Sequence, residues 1–92
     1  MDVNSQGNVR KVFSSTGVSE IGNTKGEKTL VIEGTDTFTV DAEVSKDDGL
    51  TWNVIESFSQ SVGQNFEWKG KNSVIRFNCT SFTANPVTLV FE

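Results

Sequence analysis

Apolar and polar residues alternate most strictly over residues 37–45. Phe38, Val40, Ala42 and Val44 fall on one face, and Thr37, Thr39, Asp41, Glu43 and Ser45 on the other. A period of two over nine residues predicts a strand with one face on the core and one in water. The same period predicts a strand over residues 29–33, with Leu30 and Ile32 opposite Val31. A further strand is expected over residues 52–58, apolar on both faces, with Trp52, Val54 and Phe58 on one side and Ile55 on the other. Phe66 and Trp68 mark a fourth strand. Residues 73–80 form a fifth, with Ile75, Phe77 and Cys79 inward, and residues 87–92 a last one, with Val87, Leu89 and Phe91 on one face.

Turn-forming residues separate these runs: Gly34-Thr35-Asp36, Asp47-Asp48-Gly49, Gly63, Gly70-Lys71-Asn72 and Ala84-Asn85-Pro86. No 3.6-residue period is sustained. The expected fold is therefore all-β, a compact antiparallel β-sandwich or jelly-roll-like domain of about 6–8 strands.

The first 28 residues read differently. They hold four glycines and ten Ser, Thr, Asn or Gln residues. Their apolar content is thin, and residues 9–14 are the best strand candidate. Two readings stand: a polar, Gly-rich N-terminal arm that orders on a neighbouring molecule, or a set of edge strands. In the first reading Val9, Val12 and Phe13 are the partner contacts. Residues 29–92 form the sandwich core in either case.

Composition narrows the chemistry. Ninety-two residues allow one core. The chain has no His, no Tyr and one Cys. That excludes a Ser-His or Cys-His nucleophile pair, a His-ligated metal, an internal disulfide and a Cys-based zinc or iron–sulfur site. No catalytic, cofactor-binding or metal-ligating residue is assigned. Asp41 and Glu43 share a polar strand face, yet a single small sandwich has little room for the water-shielded cleft that paired-carboxylate chemistry needs. The reading is a non-enzyme without cofactor.

Net charge is −4, which argues against nucleic acid as a partner, although Lys69, Lys71 and Arg76 make a minor basic spot. Seven acids and one base fall in residues 36–67. They form a solvated acidic sheet face or an acidic hairpin that docks on a basic patch. The opening Met1-Asp2-Val3-Asn4 lacks the basic start and apolar run of a signal peptide, and no run is long enough for a membrane span. An unpaired Cys79, expected to be buried, suits a reducing cytoplasm.

One local motif stands out. Ser45-Lys46-Asp47-Asp48-Gly49-Leu50-Thr51-Trp52 has the form S-x-D-x-G-x-T-W. Asp47 can accept loop N–H groups, Gly49 can take positive φ, Ser45 and Thr51 can tie the strand ends, and Trp52 can roof the turn. The loop offers too few oxygen ligands for a tight Ca²⁺ site at Asp47 and Asp48. The pattern resembles the Asp-box, a structural turn of sialidases and other β domains. One copy in this length makes no propeller.

The wider layout resembles a group of small bacteriophage virion proteins of the capsid decoration, or cement, type. It is carried by the strand at 37–44, the hairpin at 45–52, Gly63, Phe66, Arg76-Phe77-Asn78-Cys79-Thr80 and the closing strand at 87–91. Asp48-Gly49 stands where that hairpin usually has Gly-Gly, and residues 1–28 carry no signature of the group. The resemblance implies a structural protein on the outer face of a virion, made in the host cytoplasm. Its partner would be the major capsid protein lattice; a homodimer or homotrimer on a local symmetry axis is compatible with that role. Two alternatives remain: a small tail or neck protein, and a carbohydrate-binding or adhesin module. Exposed Trp52 and Trp68 would favour the adhesin, while core positions are their default.

Overall fold

Each alternating strand has one apolar face, and those faces must meet one another to leave water. The computed structural model describes residues 8–24, 27–67 and 73–92. It places them in nine strands: β1 (Val9–Phe13), β2 (Gly17–Val18), β3 (Gly22–Asn23), β4 (Glu27–Glu33), β5 (Phe38–Ser45), β6 (Asn53–Phe58), β7 (Val62–Glu67), β8 (Val74–Phe82) and β9 (Val87–Phe91). No helix occurs among the described residues. The first sheet has the order β1-β9-β4-β7, and the second β2-β8-β5-β6 with β3 also paired to β8. All pairs are antiparallel.

β2 and β3 are two halves of one edge strand. Val18 pairs with Asn78 and Gly22 with Ile75, so four residues on one side span three on the other. Ser19 bridges the irregular stretch. Its N–H donates to Phe77 O at 2.8 Å, and its Oγ accepts from Phe77 N at 2.9 Å. Counted this way, eight strand positions form two four-stranded sheets. The chain changes sheet at every connection except the β5–β6 hairpin, which is the jelly-roll path.

The core lies between the sheets. Phe13, Phe38, Phe77 and Phe91 are fully buried, with Leu30, Ile32, Val40, Val44, Ile75, Val87 and Leu89 around them. Phe77 and Phe91 meet at 5.4 Å between ring centroids, and Phe66 meets Phe91 edge-on at 5.2 Å. The buried faces of β4, β5, β8 and β9 are those set by alternation.

Two bulges change that parity; the one on β6 corrects the strand reading, and the one on β8 lies beyond the inward residues Ile75, Phe77 and Cys79, which are buried as expected. On β6, Ala42 pairs with Glu56 but Glu43 pairs with Val54, leaving Ile55 as an extra residue. Phe58 therefore enters the core while Val54 stays on the outer face. The expected common face of Trp52, Val54 and Phe58 does not exist. On β8, Val40 pairs with Cys79 and Thr39 with Ser81, so Thr80 is the extra residue and Phe82 turns back inward.

Of the two readings of residues 1–28, the edge strands describe β1 in the first sheet and β2 and β3 in the second, while Glu27 and Lys28 belong to the interior strand β4, which the boundary at 28/29 cuts. Val9 and Phe13, expected as partner contacts, are 0% and 1% exposed because they alternate into the sandwich from β1. Val12 points the other way and is 56% exposed.

The loops 34–37 and 83–86 close one end. Asp36 accepts hydrogen bonds from Asn85 N and Nδ2 at 3.1 and 2.8 Å, and Thr83 Oγ1 donates to Thr37 O at 2.8 Å. Gly34 packs here with no room for a side chain. A Cβ would lie 2.7 Å from Phe38 Cε2 and 3.2 Å from Val87 Cγ2, whereas a Cβ on Gly63 would meet nothing within 4 Å. Gly34→Ala should thus cost about 1–3 kcal/mol in urea unfolding, because the buried Phe38 ring must give way. Gly63→Ala should stay within about 0.5 kcal/mol of the parent.

Candidate interaction surface

The β5–β6 hairpin carries the S-x-D-x-G-x-T-W run, and each of its side chains has a local task. Asp48 and Gly49 have φ of 59° and 93°, and Leu50 N donates to Asp47 O at 3.4 Å. Positive φ at both central residues is the signature of a type I′ turn, which favours Asp-Gly and here forms the tip of the loop 46–52 between β5 and β6. Ser45 Oγ accepts from Gly49 N at 2.8 Å and from Asp47 N at 3.3 Å, and donates to Asp47 Oδ1 at 2.6 Å. Thr51 N donates to Asp47 Oδ1 at 2.9 Å, and Thr51 Oγ1 donates to Asp47 Oδ2. Trp52 lies over the turn, with Cζ2 3.6 Å from where a Gly49 Cβ would stand.

Both Asp47 oxygens are therefore engaged in holding the loop. The hydroxyls of Ser45 and Thr51, with the Thr51 N–H, favour the ionised form and lower its pKa to about 2. Among the described residues no three His, Cys, Asp or Glu side chains come together as a metal site. Cys79 is buried, donates to Ser81 O at 3.4 Å, and has its thiol pKa pushed up by desolvation.

Beside the turn, the outer face of the second sheet holds a network that strand periodicity did not reveal. Glu43 and Arg76 are cross-strand partners on β5 and β8. Arg76 Nε donates to Glu43 Oε1 at 2.6 Å, and Asn78 Nδ2 to Glu43 Oε2 at 3.3 Å. The Arg76 guanidinium lies over the Trp52 ring at 4.3 Å. Side-chain exposure is 27% for Arg76 and 10% for Glu43. Arg76 is thus a bridge between an acid and an aromatic, while Lys69 and Lys71, the other members of the expected basic spot, and Trp68 lie outside the described residues. Trp52 is half-buried on the outer face and is not a core residue. A sugar stacking on the ring face that Arg76 covers would have to displace the guanidinium.

Around this network the hairpin exposes apolar side chains. Leu50, at the turn, is 84% exposed, and Val54 is 53% exposed, with the bulged Ile55 next to it. Acids surround them, but several are committed: Asp41 accepts from Ser57 Oγ at 2.6 Å, Glu43 from Arg76 and Asp47 from the turn. Asp48 is exposed at the turn next to exposed Lys46, and Glu56, opposite Ala42, stands on the inner side of the β6 edge. On its outer face the expected acidic hairpin is therefore an apolar ridge with both signs of charge at its tip. The grooves found elsewhere among the described residues are shallow and open.

No protein-family model matches the chain, and no curated protein or solved structure is similar to it.

The turn makes stability depend on acid. A carboxylate whose pKa is depressed by folding stabilises the fold above the unfolded value of 3.8, and that contribution is lost as pH falls towards about 2. Thermal unfolding should show Asp47→Asn less stable than the parent at neutral pH, with the difference shrinking across that acid window. Arg76→Ala should cost about 1–3 kcal/mol in denaturant unfolding, since Glu43 is then left nearly buried with Asn78 as its remaining partner in the network.

Proposed function

We propose that this protein is a non-enzymatic structural component of a bacteriophage virion, a decoration or cement protein that binds and stabilises the outer capsid lattice. The observation that carries the reading is the β5–β6 hairpin: a turn tied at Asp47 and Ser45 that holds Leu50 84% exposed beside Trp52 and Val54. An apolar side chain on a rigid turn can enter a pocket on a partner at little cost in ordering. The partner is the major capsid protein, and a groove with a basic group at its rim would match Asp48 beside Leu50.

Size supports many modest contacts over one tight pocket. The chain has 5346 Å² of accessible surface, so a standard interface of about 800 Å² per partner would take about a seventh of it. Each copy needs only a weak contact if it touches neighbouring capsomers at once, because the second contact is made at high effective concentration. Synthesis in the host cytoplasm and residence on the capsid surface follow from this role.

The test is co-sedimentation with particles of the encoding phage, followed by heat or osmotic challenge. Particles lacking the protein should assemble and rupture sooner, and adding it back should restore them. Leu50→Asp, remote from the core, should bind about 10- to 100-fold more weakly, the loss of one buried leucine. Unchanged robustness without the protein would remove the cement role. Retention on a glycan array would move the assignment to an adhesin module.

A further inference from the structure

The edges of the two sheets are not alike. Among the described residues, β2 and β3 are two-residue pieces broken at Ser19, and β6 carries the bulge at Ile55. On β1 the outward N–H of Arg10 is met by Glu20 Oε1 at 3.4 Å, and Arg10 and Lys11 bring charge to the strand. β7 has none of these features. It runs six residues against β4 without a bulge, and residues 62–66, Val-Gly-Gln-Asn-Phe, carry no charge. Sheets guard their edges with bulges, charges or covering segments, so an edge without them is a template for a further strand.

Register shows which backbone groups are open there. Thr29 and Glu92 exchange both N–H···O bonds, at 2.7 and 3.1 Å, so Thr29, Val31 and Glu33 turn their backbone groups to β9. Lys28, Leu30 and Ile32 therefore turn theirs to Phe66, Gln64 and Val62 on β7. The N–H and C=O of Gly63 and Asn65 are left pointing out of the sheet, and no hydrogen bond among the described residues takes them up.

The side chains add a pattern to this edge. Val62, Gln64 and Phe66 point inward and are half-buried, with Val62 and Phe66 packed against the core. Beyond them the seam between β7 and β6 is open, and Gln64 lines it together with Glu56 from the inner side of β6. We infer that β7 receives an extended segment of a partner protein, added as a fifth strand of the first sheet. The backbone of that segment pairs with Gly63 and Asn65. Its inward side chains are apolar beside Val62 and Phe66 and basic beside Gln64, where a lysine reaches Glu56 across the seam. Packed sheets lie about 10 Å apart, a gap that a lysine and a glutamate span together.

Charge separates this occupant from a second copy. Two β7 strands paired about Gln64 would bring both Glu56 carboxylates to one seam beside the two-fold axis, and no base lines that seam. A basic partner turns the same carboxylate into an attraction. The edge is separate from the hairpin surface, and the inference does not rest on the capsid reading.

A blocked heptapeptide, Thr-Val-Thr-Lys-Thr-Val-Thr, carries the required pattern in either direction. Titrated to about 2 mM into the purified full chain, it should bind saturably, protect the Gly63 and Asn65 amides from hydrogen exchange and leave the β1 amides unchanged. Asn65→Pro removes an outward donor without breaking a bond to β4, so it should keep the parent circular dichroism spectrum. It should bind the peptide at least about tenfold more weakly. Replacing the peptide lysine by glutamate should weaken binding about three- to tenfold, and Glu56→Lys, at an exposed position, should reverse that preference. The inference is overturned by an absence of saturable binding, by protection on another edge, or by a folded Asn65→Pro chain that binds as the parent does. It is overturned equally by a lysine preference that Glu56→Lys leaves unmoved, or by a free chain that dimerises through β7.

Discussion

Four phenylalanines between two sheets are what the rest of this molecule depends on. Phe13, Phe38, Phe77 and Phe91 come from β1, β5, β8 and β9, two strands of each sheet, and none is more than 1% exposed. Removing one such ring typically costs about 3–5 kcal/mol, against a total stability of about 5–15 kcal/mol for a domain. A chain this short has no second core to compensate. The aromatic layer therefore dictates strand parity, and where strict alternation would misplace a ring the chain inserts a residue. Ile55 and Thr80 are those insertions, and Phe58 and Phe82 are the rings they return to the inside.

The same insertions shape the surface. The bulge on β6 leaves Val54 beside Glu43 on the outer face and sets Ile55 apart from the ladder. A bulge on an edge strand also twists that edge away from pairing with another chain, and Glu56, opposite Ala42, adds a charge on the inner side. The β6 edge is consequently guarded against strand addition, while the hairpin tip beyond it stays presented. Core packing and surface presentation are consequences of one register shift.

The polar features on the second sheet are structural in the same sense. Asp47 saturates its oxygens within the turn, and Glu43, Arg76 and Trp52 form a half-buried bridge from β5 through β8 to the hairpin. A partly desolvated ion pair adds little net stability, but it penalises any register that separates its members. Here it fixes the hairpin against the sheet, so that Leu50 is held by the fold and not by a mobile loop.

Much of this architecture was legible from alternation alone: the buried faces of β4, β5, β8 and β9, the burial of Cys79, and the turn chemistry of Ser45, Asp47, Gly49, Thr51 and Trp52. These are local properties, set by a period of two and by hydrogen bonds spanning a few residues. Three things were not local. Val9 and Phe13 read as spare apolar residues in a polar zone, because only pairing with β9 shows that β1 has a core to face. The bulges were invisible because a bulge is a mismatch between two strands and has no period of its own. The bridge of Arg76 to Glu43 and Trp52 joins residues 33 and 24 positions apart, and strand order, which tertiary packing alone decides, is what brings them together.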